Sequence, residues 1–316
     1  MKIPIHLITH DRPLLLEKVL IRLLKYTDWD KFELWILDNN STIQNKKVIS
    51  MFVANNTHIR VFESSFNQIA YIQNELIKKS KADIYIKIDD DILVTEGWAN
   101  ALLGVYQRNK EKMCFGSVVI PINGFGWIPF LDIMDLREEY QKTFPSTQLR
   151  QDCMGVAVHD NDEACRFIWQ KCLKMDNITK IFKQKQNNTY QDLICPHRYS
   201  IGAIIYSHST WEKMGGWKVE EGFAIRKYVF NQIVSLLRSL FINRYNAKSK
   251  SRFLQILEIA LSLHKTTLGI EEEEIFRYSQ KSGTGIYITT EGLLFHFSFA
   301  RTEQYLMNYV YPNIIF

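Results

Sequence analysis

Asp89-Asp90-Asp91 follows directly on the apolar run Ile84-Tyr85-Ile86-Lys87-Ile88. Three adjacent carboxylates at the end of a buried strand repel one another and resist desolvation. They fit there when exposed at a sheet edge, hydrogen-bonded, or bridged by a cation; the plain alternative is an acidic turn. A hard divalent ion suits oxygen ligands, and such ions commonly bind substrate phosphates as well. Three other segments set polar groups beside apolar neighbours: Asp38-Asn39-Asn40-Ser41-Thr42, Glu271-Glu272-Glu273-Glu274, and the lone imidazole of Leu293-Leu294-Phe295-His296. Carboxylates can take up a proton during a reaction, and imidazole suits Mn²⁺.

These groups need a scaffold, and the first hundred residues read as alternating strand and helix. Strands are expected over residues 3–9, 32–37, 58–63 and 84–88, with helices over 13–26, 46–54, 69–80 and 98–107. Pro13 sits where proline suits a helix's first turn. Such alternation argues for an α/β fold with a mostly parallel central sheet flanked by helices. Polar residues cluster after each strand (His10-Asp11, Asp38 to Thr42, Ser64-Ser65, Asp89 to Asp91), so these ends are expected to converge on one crevice. Beyond residue 110 the pattern loosens. Residues 114–121 and 199–208 read as strands, 123–127 as a glycine-aromatic loop, and 131–195 as polar and partly helical. Residues 224–263 read as an insert of two amphipathic helices joined by a basic linker.

Composition excludes several classes. The 316 residues carry 39 basic and 34 acidic side chains, a net charge of +5. That balance argues against nucleic acid and suits acidic partners such as nucleotide-sugars or anionic lipid surfaces. Five cysteines without a CxxC pair read as reduced thiols of a cytoplasmic protein without a zinc site. No secretion signal is expected at the start, and no stretch reaches the ~18 apolar residues of a spanning helix.

In their order, the motifs resemble a GT-A glycosyltransferase of the family 2 type. Asp38-Asn39-Asn40-Ser41-Thr42 is similar to the family's Asp-x-x-Ser-Thr turn, and Asn67 to Asn74 to its Asn-rich helix start, with Ile69 where glycine is usual. Asp89 to Asp91 resembles the DxD motif, and Gly215-Gly216-Trp217 the Gly-Gly-aromatic motif. Glu271 to Glu274 resembles the acidic motif that opens a helix, and His296 the C-terminal histidine. The resemblance implies a nucleotide-sugar-binding half over residues 1–110 and an acceptor-binding, catalytic half over 111–316 of the same domain, carrying the 224–263 insert.

It also implies roles. Asp38 would accept a hydrogen bond from the donor's base, with Thr9, Asp11 and Asn67 in the same donor pocket. Asp89 would face the ribose or a metal-bound water, Asp90 would support the turn or the donor, and Asp91 would ligate Mn²⁺ or Mg²⁺, with His296 completing the metal shell. The base would be Glu272, with Glu271 and Glu273 as neighbours in the same motif. Some fifty residues separate this motif from Trp217, which leaves Glu220 and Glu221 as competing bases.

The implied activity is metal-dependent, inverting transfer of a sugar, hexosyl or related, from a UDP- or GDP-sugar to a hydroxyl acceptor. The acceptor would be a glycan or lipid-linked glycoconjugate of a bacterial-type surface. Competing readings are a non-catalytic GT-A-like binding or scaffold protein and a sugar-1-phosphate nucleotidyltransferase, although Ile8 to Pro13 lacks the latter's glycine-rich phosphate loop. The insert suits either contact with the inner face of a membrane or packing and dimerisation. Trp127 suits either sugar stacking or core packing. Arg301 suits phosphate or the surface, and His159 to Asp162 a helix cap.

Overall fold

The computed structural model describes residues 2–80, 82–121, 124–145, 161–187, 189–196, 199–200, 202–219, 270–297 and 303–314. The 224–263 insert, Glu220, Glu221 and Arg301 lie outside them.

Strand β1 (Ile3–Thr9) is buried along nearly its whole length, the burial expected of a parallel strand covered on both faces. Helix α1 (Pro13–Tyr26) follows with proline in its first turn, and Leu15, Leu16, Val19, Leu20 and Leu23 form the helical stripe that packs on the sheet. The alternation continues through β2 (Phe32–Asn39), α2 (Ile43–Ala54), β3 (Ile59–Ser64), α3 (Ile69–Ser80) and β4 (Ile84–Asp89). A two-residue strand β5 (Ile92–Leu93), α4 (Trp98–Asn109) and β6 (Met113–Val119) come next. The second half supplies α5 (Gly124–Ile133), α6 (Arg137–Thr143), α7 (Asp162–Cys172), α8 (Met175–Gln186), β7 (Asp192–Cys195), β8 (Ala203–Ser207) and α9 (His208–Met214). Helix α10 (Ile270–Ser282), β9 (Gly285–Leu293) and β10 (Phe295–His296) complete the site, and a short helical run over 303–313 follows.

Eight strands form one sheet in the order β3-β2-β1-β4-β8-β6-β9-β7. Strands β7 and β8 run against the other six. The registers level the ends that matter: Thr9 pairs with Asp38, Asp38 with Glu63, and Ile8 with Asp89. A second, two-stranded sheet pairs His296 with Ile92 and Phe295 with Leu93.

Two expectations need correction. The glycine-aromatic stretch is part of helix α5, where a Cβ on Gly126 would lie 1.8 Å from the Ile120 carbonyl oxygen. Glycine there lets the helix press against the end of β6, and Trp127 is wholly buried among Tyr140 and Phe167, so core packing explains it. The strand expected over residues 199–208 begins only at Ala203. Tyr199 instead donates its hydroxyl to the Val118 carbonyl and accepts from the Ile120 amide. Strand β7 and the β5–β10 pair had no counterpart in the periodicity, being four and two residues long. Among the described residues no helix is long and apolar enough to cross a membrane, and the four described cysteines are free and buried.

Candidate active site at the strand ends

The three aspartates leave β4 in different directions because each is held by a different neighbour. Lys87, fully inside the strand, places its Nζ 2.6 Å from Asp89 Oδ1. Burial alone would discharge this lysine, but Asp89 and then Glu271 outweigh it and hold the ammonium charged. Asp90 points toward the β1 turn. Its Oδ2 accepts from Thr9 Oγ1 at 2.7 Å and from the His10 amide at 3.2 Å. Its Oδ1 lies 3.2 Å from Arg12 Nη1. Burial, with Asp91 alongside, still pushes Asp90 up to about 7.

Asp91 is shared between a guanidinium and an imidazole. Arg12 Nη1 lies 2.9 Å from Oδ2, and His296 Nε2 lies 3.1 Å from Oδ1. Burial works to raise its pKa, but His296 and then Arg12 more than offset it and hold the carboxyl below the usual range. The main chain fixes this juxtaposition: the Phe297 amide donates to the Asp91 carbonyl at 2.7 Å, and β10 pairs with β5 immediately after Asp91.

The turn after β1 completes this side. Asp11 takes the left-handed conformation at φ 51°, and its carboxylate accepts from the Thr42 amide. It therefore ties two loops together and lies at the mouth of the crevice. Asn67 bridges Asn39, whose Nδ2 donates to it at 2.8 Å, and the ring of His10 at 2.9 Å. Asp38 caps its own turn through the Ser41 amide at 2.9 Å, and its buried Oδ2 lacks a hydrogen-bond partner, with Lys46 Nζ at 3.6 Å. Beside it opens a cleft of about 270 Å³ walled by Ile49, Val53 and Val61, with Lys46 and Glu63 at its rim.

The glutamate run divides in a way the sequence did not resolve. Glu274 is buried and fastens the Gly-Gly-Trp turn, accepting from the Lys218 amide at 3.2 Å. Glu271 faces the strand ends: Gln73 Nε2 donates to its Oε1 at 2.9 Å, and Lys87 and Asp89 are close enough to act on its charge. Burial raises it to about 7. The side chains of Glu272 and Glu273 lie outside the described residues.

Reasoning from sequence missed Lys87, Gln73 and Arg12. Lys87 had a signal, since a strand's period of two sets it on the same face as Asp89. Gln73 had a weaker one, as a polar residue among the buried positions Ile72, Leu76 and Ile77 of α3. Arg12, next to a helix start, looked like any surface arginine. Of the remaining candidates, Asn161 is the N-cap of α7, its side chain accepting from the Ala164 amide at 2.9 Å.

A divalent cation is tested here against its donor set. Two ligands at about 2.1 Å and right angles lie roughly 3 Å apart, which matches the 3.1 Å between Asp91 Oδ1 and His296 Nε2. That oxygen is buried without a conventional hydrogen bond. Among the described residues no three His, Cys, Asp or Glu side chains converge into a protein-only cage. One carboxylate and one imidazole therefore fit an ion that takes its remaining ligands from water and phosphate, the habit of Mg²⁺ in phosphate sites.

The parallel-sheet edge, the aspartate triplet and the returning histidine define a GT-A-type α/β transferase. The family model for glycosyl transferase family 2 matches residues 5–175, and the chain belongs to that family. No curated protein matches the chain. Among solved structures, the mannosyltransferase PcManGT from Pyrobaculum calidifontis, in complex with GDP-Man and Mn²⁺, aligns with a TM-score of 0.41 and 13% identity over 69% of this chain and 47% of that one. The chain thus spans just under half the length of that protein.

Proposed function

We propose that the crevice transfers a sugar from a nucleotide-sugar to a hydroxyl acceptor, with inversion at the anomeric carbon. The observation that carries this reading is the convergence of an Asp91–His296 pair and a desolvated carboxylate, Glu271, around Lys87 and Asp89 at the end of β4. Asp38 and the cleft beside it suit the donor's base, which would bring an N–H to the carboxylate oxygen that lacks a hydrogen bond, between apolar walls and beside Lys46. Asp91 and His296 would hold a divalent cation, which stabilises negative charge developing on the leaving diphosphate.

Glu271 is the base in this reading. Its carboxylate takes the proton of the acceptor hydroxyl as that oxygen bonds to the anomeric carbon. The bond from that carbon to the diphosphate breaks, and the electron pair departs with the nucleoside diphosphate. A carboxyl that titrates near 7 is matched to this task, because its basic form is strong enough to pull the proton and still populated at neutral pH. Gln73 fixes one carboxylate oxygen, and Lys87 balances the charge Glu271 shares with Asp89. Mn²⁺ or Mg²⁺, a hexosyl or related donor, and a glycan or lipid-linked acceptor complete the proposal.

A thermal-shift panel of UDP- and GDP-sugars, with and without Mn²⁺, tests it. A ligand at a hundred times its Kd stabilises the folded state by about 2.7 kcal/mol. At least one donor is expected to raise the melting temperature only when the metal is present; a panel with no shift in either condition would remove the donor site.

A further inference from the structure

Arg12 sits where a metal-binding carboxylate should be unencumbered. A single nitrogen, Nη1, reaches both Asp91 Oδ2 at 2.9 Å and Asp90 Oδ1 at 3.2 Å. The arginine side chain is 38% exposed while the two carboxylates are 7% and 9% exposed. A cation thus descends from the open side of the crevice onto two buried anions. Its delivery is built into the backbone: the left-handed turn at Asp11, tied to the Thr42 amide, precedes it, and Pro13 begins α1 immediately after.

The remaining oxygens are already committed. Thr9 and the His10 amide hold Asp90 Oδ2, and His296 faces Asp91 Oδ1. Arg12 is the most solvent-exposed of the side chains that hold the two carboxylates, ahead of His296 and Thr9.

We propose that Arg12 is an internal counter-cation that stands in for the divalent metal in the donor-free protein and shifts to the diphosphate when a nucleotide enters. The inference rests on the reading of Asp91 and His296 as a cation site. Without nucleotide, a divalent ion must share Asp91 with a guanidinium and is repelled by it. With a nucleoside diphosphate bound, the planar N–H fork of Arg12 has phosphate oxygens to grip, and Asp91 is left to the metal. Metal and nucleotide then bind cooperatively, and linkage makes the gain the same in both directions. Arg12 is a positioning residue in this scheme; it sets the order in which the site fills.

Mn²⁺ binding, followed by the loss of the free-ion EPR signal in titrations with and without UDP or GDP, tests the proposal on the whole chain. In wild type, the better nucleotide is expected to tighten Mn²⁺ by about tenfold or more. Arg12→Gln is expected to bind Mn²⁺ several-fold tighter than wild type without nucleotide, and to lose most of the nucleotide-induced gain. Arg12→Lys, which keeps the charge but not the fork, is expected to fall between them. Arg12→Gln and Arg12→Lys binding Mn²⁺ as wild type does, with the same gain from nucleotide, would overturn the inference and leave the metal site standing. Asp91→Asn binding Mn²⁺ as tightly as wild type would overturn the metal site itself.

Discussion

Lys87 brings a full charge into the wholly buried middle of β4 and meets Asp89 at 2.6 Å. A buried pair is fragile to the loss of one member, because the survivor keeps its desolvation cost without compensation. Because the Asp89 side chain keeps 31% of its surface exposed, Lys87→Met is expected to cost about 1–3 kcal/mol of stability, read by urea unfolding; an unchanged midpoint would mean that water replaces the ammonium fully. Glu271 gives a pH signature. Its folded pKa of about 7 lies above the ordinary 4.5. The stability it contributes is therefore present at low pH and lost as pH rises through about 7. Glu271→Gln is expected to melt higher than wild type at pH 8, with the difference vanishing towards pH 4. Transfer by wild type should rise with pH through about 7, and the variant should lose this rise together with its activity. Among individual residues, the aspartate triplet, Asp38 and His296 were legible because each is polar at the end of an apolar run. Arg12 and Gln73 were not, since an arginine at a helix start and a glutamine in a helix look alike whether they face solvent or a buried carboxylate.

Asn74 shows how elements hold the site. From α3 its Oδ1 accepts from the Trp217 amide and from Trp211 Nε1, each at 2.9 Å, and its Nδ2 donates to the Trp217 carbonyl at 2.7 Å. The two glycines before Trp217 adopt left-handed φ values of 84° and 76°, so the turn can double back and bring its backbone to that one side chain. Gln73, one residue earlier, reaches Glu271; α3 thus clamps the turn and orients Glu271 together. Asn74→Ala should cost about 2–4 kcal/mol, since two buried main-chain groups and the half-buried Trp211 indole lose their partner, and should lower turnover through Glu271; unchanged stability by calorimetry would show that water replaces the amide. The alternation of β1 to β4, and α4 after it, was legible because each of those helices and strands is long enough to show its period. Helix α5 was not: its sequence is apolar on all sides and begins with turn residues, so periodicity had nothing to report. Strands β7, β5 and β10 exist through pairing with β9 and with each other, a tertiary effect that a window of four or two residues does not carry.

Across the whole molecule, the sheet brings together groups as far apart in sequence as Arg12 and His296, which meet on Asp91, by levelling the ends of β1, β2, β3 and β4 and returning the chain through β9 and β10 to β5. The convergence was legible in outline, as polar ends of successive strands, and the different contacts of Glu271 and Glu274 were not, because they depend on how α10 meets α3 and the Gly-Gly-Trp turn. Release of nucleoside diphosphate from the best-binding nucleotide-sugar in the presence of Mn²⁺ tests the central claim most directly, with wild type, Asp91→Ala and Glu271→Gln compared side by side. Wild type is expected to turn over the donor, and each variant to be slower by about a hundredfold or more. Full release by Asp91→Ala, or none by wild type with any donor and metal, would contradict the assignment of this crevice to glycosyl transfer.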